Sequence, residues 1–311
     1  MKKNPNLKSK FSIVGPAPKK GRYPFAEPKG RQELKLGKDR VIRHLGKHTR
    51  RVIIGVPTLG LIRIEWDVHR RGQIIPINWQ CGEITASHMP ASVFSEGYHT
   101  ADAQNTIIER AVLDGYEWVL LWEDDVLPPF DALMRMNLHM EQMTAPIVSG
   151  LYYSKGEPTW PLVFRGRGNG AFRNFALGEY VWADGVPTGF LMIHKSIFNY
   201  MWANSPEYKL PDGRKCRQMF KFPRDSWYDP EQDRYFAQMG TSDLHFCDRL
   251  MKEKVFRKTG WTKLSREPFP FLVDTNIFCQ QIDHNGKYYP AGCRQILPPL
   301  KDLRRAVKAA S

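Results

Sequence analysis

The run Trp118-Val119-Leu120-Leu121-Trp122-Glu123-Asp124-Asp125-Val126 constrains this chain more than any other stretch. Five apolar residues stop at three adjacent carboxylates, and Pro128-Pro129 follow. A short apolar run closed by a turn signal is the pattern of a buried strand. The acids then sit at the strand's C-terminal end, where open α/β sheets bind their ligands. Neighbouring carboxylates repel one another and are costly to desolvate. A divalent cation relieves that conflict, and Mg2+ or Mn2+ held by carboxylates keeps positions for substrate phosphates. The run therefore has two readings, a metal–diphosphate site or a solvated acidic turn.

The elements around it fall in an alternating order. Arg51 to Thr58 is a strand ending in a turn, and Ile62 to Arg71 has helical character. Ile74 to Trp79 reads as a second strand. From Thr100 to Leu113, apolar residues recur at Ala103, Ile107, Ile108, Ala111 and Val112, the spacing of a helix. Thr100 or Asp102 would cap it, and Gly115 would end it. The acid-tipped strand comes next. A helix opens at Pro129-Phe130, and a further strand spans Ala145 to Tyr153. Strand and helix in alternation predict an α/β fold with a mostly parallel central sheet.

Charge divides the chain. Residues 1–51 hold 16 Lys and Arg against 3 Asp and Glu, and residues 291–311 hold 5 against 1. The stretch between, with 25 basic and 28 acidic residues, is slightly acidic. Three regions follow: a basic, extended or disordered arm over 1–50, one large domain over 51–290, and a basic tail or short helix over 291–311. Such arms attract nucleic acid, an anionic membrane surface or an acidic partner, or act only as solubilising tails. No apolar stretch approaches the roughly 18 residues of a membrane span. The N-terminus has no apolar segment after Met1-Lys2-Lys3, so no secretory signal is expected. The five cysteines are scattered without C-x2-C spacing, which fits reduced thiols in a cytoplasmic protein.

Four motifs in register now suggest a family. They are Pro57-Thr58 after the first strand, Gln104-Asn105 in the helix, Glu123-Asp124-Asp125 and Pro128-Pro129 after the next strand, and Gly150-Leu151-Tyr152 after another. The second half adds Val186-Pro187-Thr188-Gly189 to Phe198, Thr241-Ser242-Asp243 to Leu250, and Val273 to Asp283. Together, over about residues 51–290, they resemble a GT-A glycosyltransferase of the family-2-like kind found in bacteria and phages. The resemblance implies a Rossmann-like three-layer α/β/α sandwich and an enzyme that moves a sugar from a nucleotide-sugar donor to an acceptor hydroxyl. It implies Mn2+ or Mg2+ on Glu123 and Asp125, which stand at the two acids of the family's Asp-x-Asp motif.

The remaining roles carry over one residue at a time. Asp243 stands at the family's general base, which acts with inversion, although Thr241-Ser242-Asp243 also suits a helix cap. Pro57, Thr58, Asp102, Asn105, Asp124 and Gly189 fall on donor-pocket positions. Asn105 keeps a structural alternative, Asp102 a capping one, and Pro57 that of simply ending a strand. Gly189 would let backbone approach a sugar closely. Where the family has a metal-binding histidine this chain has Gln281-Ile282-Asp283-His284, so either Gln281 weakens the site, or His284 completes it from the loop, or Asp283 serves instead. Residues 203–240 read as an acceptor-binding loop or lid.

Two functional classes stay open. One is an active transferase acting on a glycan, a protein or a modified nucleic acid. The other is a weakened GT-A-like binding module whose basic arms hold nucleic acid or another polyanion.

Overall fold

The computed structural model describes residues 51–76, 79, 92–166 and 170–291. The basic arm and nearly all of the basic tail lie outside the described residues. A seven-stranded sheet organises the described residues, in the order β2-β1-β3-β7-β5-β12-β6. These strands are β1 (Val52–Thr58), β2 (Ser92–Glu96), β3 (Trp118–Trp122), β5 (Ile147–Leu151), β6 (Tyr180–Ala183), β7 (Phe190–His194) and β12 (Phe271–Phe278). Five strands share one direction. β7, inserted between β3 and β5, and the edge strand β6 run against them.

Alternation along each strand makes two cores. Ile53, Val119, Leu121, Leu191, Ile193 and Val273 face one layer of helices. That layer contains α2 (Thr100–Asp114), α4 (Lys195–Ala203), α5 (Ser242–Lys252) and α6 (Val255–Lys258). Ile54, Trp118, Leu120, Trp122, Phe190 and Met192 face the other layer, α1 (Ile64–Arg71) and α3 (Ala132–Gln142). A strand buried on both faces needs apolar residues at both parities, which explains the unbroken run in β3. The fold is thus a three-layer α/β/α sandwich, as the sequence predicts.

Several elements differ from expectation. The segment at Ile74–Pro76 is no strand. Its backbone is strapped to the entrance of α3 by Ile74 N–H on the Phe130 carbonyl (2.7 Å), while the Gln73 amide donates to the Pro129 carbonyl (2.8 Å). Ile77 and Asn78 lie outside the described residues. The strand beside β1 is Ser92–Glu96 instead, pairing Ile54 with Ser92 through Thr58 with Glu96. Helix α2 is capped by neither Thr100 nor Asp102. His99 occupies the cap position without a side-chain bond. Gly115 ends this helix as expected, in the left-handed conformation (φ 72°) that glycine adopts at low cost.

Residues 203–240 are not a structureless loop. They form two hairpins, β8 (Glu207–Lys209) with β9 (Lys215–Arg217), and β10 (Arg224–Asp229) with β11 (Arg234–Met239). A small second sheet joins β4 (Val126–Leu127), β13 (Gln280–Ile282) and β14 (Tyr288–Tyr289). None of the described helices is long and apolar enough to cross a membrane.

Candidate functional site

Strand direction brings distant residues to one rim. β1 and β3 end there at Thr58 and Trp122, and antiparallel β7 begins there, with Trp122 opposite Phe190. The Glu123 N–H continues that ladder onto the Gly189 carbonyl (2.9 Å). The indole of Trp66 on α1 donates to the Glu123 carbonyl (2.9 Å), and Ile282 N–H donates to the Asp125 carbonyl (2.9 Å). The acidic turn is therefore held by its backbone from three sides, leaving its carboxyl groups for other contacts.

One of them, Glu123, feels the charge of Asp243 from the other half of the chain. Thr241 occupies the cap position of α5 with its backbone extended and no side-chain bond to a backbone N–H, and Asp243 lies in the first turn. Asp243 Oδ1 accepts from the Leu244 N–H (2.8 Å). Burial pushes the Glu123 carboxyl up to about 8, and the charges of Asp125 and Asp243 push in the same direction. Burial also raises Asp243, against the Thr241 hydroxyl and the Leu244 N–H. It raises Asp124 as well, against a hydrogen bond from Thr58. Tyr152, fully buried, is raised by burial and then by Glu123 and Asp243. Lys155 forms an ion pair with Asp125 Oδ2.

A buried hydrogen-bond chain couples the acids. Ser242 Oγ donates to Gln104 Oε1 (3.2 Å), Gln104 Nε2 donates to Thr188 Oγ1 (2.8 Å), and the Thr188 hydroxyl donates to Glu123 Oε1 (3.3 Å). Gln104 thus ties the start of α5 to the acidic turn. In the sequence Gln104 stood out only beside Asn105, as one of the motifs in register. Lys155 was not among the residues singled out in the sequence, and Tyr152 and Thr188 stood there only inside longer motifs.

The rim gathers Glu123, Asp124, Asp125, Asp243, Thr58, Thr188 and Gly189. Pro57 is buried in β1 beside Thr58, opposite Ser95 of β2. Gly189 is closely surrounded. A Cβ there would lie 2.6 Å from Tyr152 Oη and 2.9 Å from Val126 Cγ2, so its close neighbour is a tyrosine within the fold. The Gly189 N–H also donates to Tyr152 Oη (2.6 Å). Asp102 accepts from the Tyr208 hydroxyl (2.7 Å). Asn105 is committed elsewhere: Nδ2 donates to Tyr208 Oη (3.0 Å) and the Phe220 carbonyl (2.9 Å), and Oδ1 accepts the Phe220 N–H (2.8 Å).

His284 stands exposed in the turn between β13 and β14, where its carbonyl accepts from Arg63 Nη1 (3.1 Å). Gln281 is buried in β13 opposite Val126. Among the described residues no three His, Cys, Asp or Glu side chains form a metal-holding group, so Glu123, Asp125 and His284 do not assemble into one. What remains is the Glu123–Asp125 pair. Asp125 Oδ1 is buried without a protein partner.

No known protein family matches this sequence, and no curated protein does. Among solved structures, A197 from STIV is similar at 12% identity and a TM-score of 0.44, over 78% of this chain and 95% of that one. A putative UDP-N-acetylglucosamine pyrophosphorylase from Entamoeba histolytica is similar at 9% identity and a TM-score of 0.30, over 68% of this chain and 74% of that one. Likenesses this distant carry no argument about fold or chemistry.

Proposed function

We propose that this protein transfers a glycosyl group from a nucleoside-diphosphate sugar to an acceptor hydroxyl, with Asp243 as general base. The observation that carries the reading is the hydrogen-bond chain Ser242–Gln104–Thr188–Glu123, which ties the helix start that carries Asp243 to the acidic turn at the carboxyl end of β3, from opposite halves of the chain. Ligands of open α/β sheets bind at that edge. Thr58 and Asp124, hydrogen-bonded to one another, form the wall that meets the nucleotide.

The residues present fit a divalent cation of the Mg2+ or Mn2+ kind. Asp125 supplies a buried oxygen that lacks a protein partner, Glu123 supplies a second carboxyl group, and substrate phosphates commonly complete such a shell. Bound there, the cation would neutralise charge on the departing nucleoside diphosphate. To hold it, Glu123 would have to give up the proton that burial favours, and Asp125 would have to release Lys155. Asp243, made more basic by burial, accepts the acceptor hydroxyl's proton as that oxygen attacks the anomeric carbon opposite the diphosphate, which gives inversion. Gln104 and Thr188 fix the distance between base and acidic turn.

The Lys155–Asp125 ion pair favours a second reading. In it, Lys155 meets the phosphates without a cation, and the domain binds nucleotides without turning them over.

Release of nucleoside diphosphate from a panel of nucleotide sugars separates the two. Asp243→Asn should leave donor affinity unchanged and lower turnover by about 10²–10⁴, the range for loss of a general base. Full turnover in the variant, with an unshifted melting point, would remove Asp243 from the chemistry. Binding without turnover by the unmodified protein, with every acceptor class, would favour the second reading.

A further inference from the structure

The loop that carries Lys155 also builds a groove. After β5 the chain doubles back: Ser154 N–H donates to the Trp160 carbonyl (2.8 Å), Trp160 N–H to Ser154 Oγ (3.0 Å), and Leu162 N–H to the Tyr152 carbonyl (2.9 Å). Tyr153 and Pro161 form an antiparallel bridge across this strap. Lys155 at its tip reaches Asp125, so the strap is a wall of the acidic site. On its outer side lies an open groove of about 270 Å³, lined by Tyr153, Thr159, Trp160, Arg173, Phe175 and Leu177.

The lining is aromatic and cationic, with no carboxylate. The Arg173 guanidinium lies 3.3 Å from the Trp160 ring centre, and Arg173 itself is exposed. Leu177 is 63% exposed. Arg165 lies over the rings of both Phe172 and Phe269, at 3.9 and 5.0 Å from their centres. A neutral sugar presents many hydroxyl donors, and this groove offers them few acceptors. Rings interleaved with guanidinium groups suit flat bases joined by phosphates. The chain's charge points to the same class, because residues 1–51 and 291–311 carry 21 of the 46 Lys and Arg. Such an excess attracts a polyanion and gives a neutral glycan nothing.

We propose that this groove binds single-stranded nucleic acid, one base stacking on the Tyr153–Trp160 wall and an adjacent phosphate pairing with Arg173. That the bound strand is also the sugar acceptor rests on the glycosyl-transfer reading. The binding does not, and it is measured without donor or turnover.

The test is fluorescence anisotropy of a labelled single strand of about 12 nucleotides with the full-length protein, between ~50 and ~300 mM salt. Arg173→Gln should weaken binding and lower the slope of log affinity against log salt by about 0.7, the value for one phosphate contact on a single strand. Trp160→Ala should weaken binding by roughly 5- to 150-fold at every salt concentration without changing the slope, and Trp160→Phe should restore most of it. Inorganic polyphosphate, which has charge but no bases, should compete poorly. Arg173 is exposed, so its variant tests the groove even if Trp160→Ala fails to fold. Unchanged affinity and slope in Arg173→Gln, or polyphosphate competing as well as the oligonucleotide, would overturn the proposal and leave the basic arms as the sole polyanion contact.

Discussion

His194 gives the protein a calculable sensitivity to acid. It is buried at the end of β7, where its ring packs against Trp118 (4.6 Å between centres) and Trp261 (6.1 Å). Its Nδ1 accepts the Ser196 N–H (3.2 Å) and so caps α4. That acceptor role requires the neutral ring. Burial, helped by the Lys195 charge, lowers its pKa from 6.5 to about 3. The folded protein therefore resists a proton that the unfolded chain takes up below pH 6.5. Stability from this group is complete above the unfolded pKa and is lost as pH falls from there towards 3. Integrating between pH 7 and pH 5 gives a loss of roughly 2 kcal/mol.

Glu123 opposes this in the same window. Its carboxyl group is raised to about 8, so the folded state holds a proton that the unfolded chain has released, and lowering the pH stabilises it. The raw pH profile of the protein therefore mixes two slopes, and variants separate them. In His194→Asn the cap acceptor remains, because asparagine serves at that position, but the titration is gone. Urea unfolding with a chelator present should show the variant losing about 2 kcal/mol less than the parent between pH 7 and pH 5. Glu123→Gln should alter the profile in the opposite sense. Parallel profiles for His194→Asn and parent would refute the claim that this histidine is held neutral.

Gly189→Ala places a Cβ against Tyr152 Oη and Val126, and should cost about 1–3 kcal/mol by overpacking, read as a lower urea midpoint. An unshifted midpoint would show that the rim relaxes freely there. Asn105→Ala leaves the buried Phe220 N–H and carbonyl without partners and should destabilise the fold by roughly 1–3 kcal/mol per group. Donor affinity should hold in the folded fraction of that variant, whereas a specific loss of affinity would return Asn105 to the nucleotide pocket.

Much of this architecture is legible in the sequence because burial leaves a pattern. β3 reads as a strand from five apolar residues buried on both faces, and α2 from its apolar spacing ended by Gly115. β2 does not, because only one edge of it pairs with the main sheet and its Ser92-Val93-Phe94-Ser95-Glu96 is half polar. The hairpins β8–β9 and β10–β11 escape notice for a related reason. Their pairing is a backbone property, and strands as polar as Glu207–Lys209 carry little hydrophobic signal. The candidate site shows the same division. The acids stand out as an abrupt change of character along the chain. The Ser242–Gln104–Thr188–Glu123 chain spans residues up to 138 apart, so only the fold brings it together. Gln104 did leave one trace, an amide at a position that α2 turns toward the core.

The proposed glycosyl transfer requires that the Glu123–Asp125 turn hold a divalent cation together with a nucleoside diphosphate. Calorimetric titration of UDP and GDP into the full-length protein, with and without Mn2+, tests it directly. Mn2+ should strengthen binding of at least one nucleotide by about tenfold or more, a gain of at least ~1.4 kcal/mol, and Asp125→Ala should abolish that gain. Nucleotide binding indifferent to both Mn2+ and the substitution would contradict it.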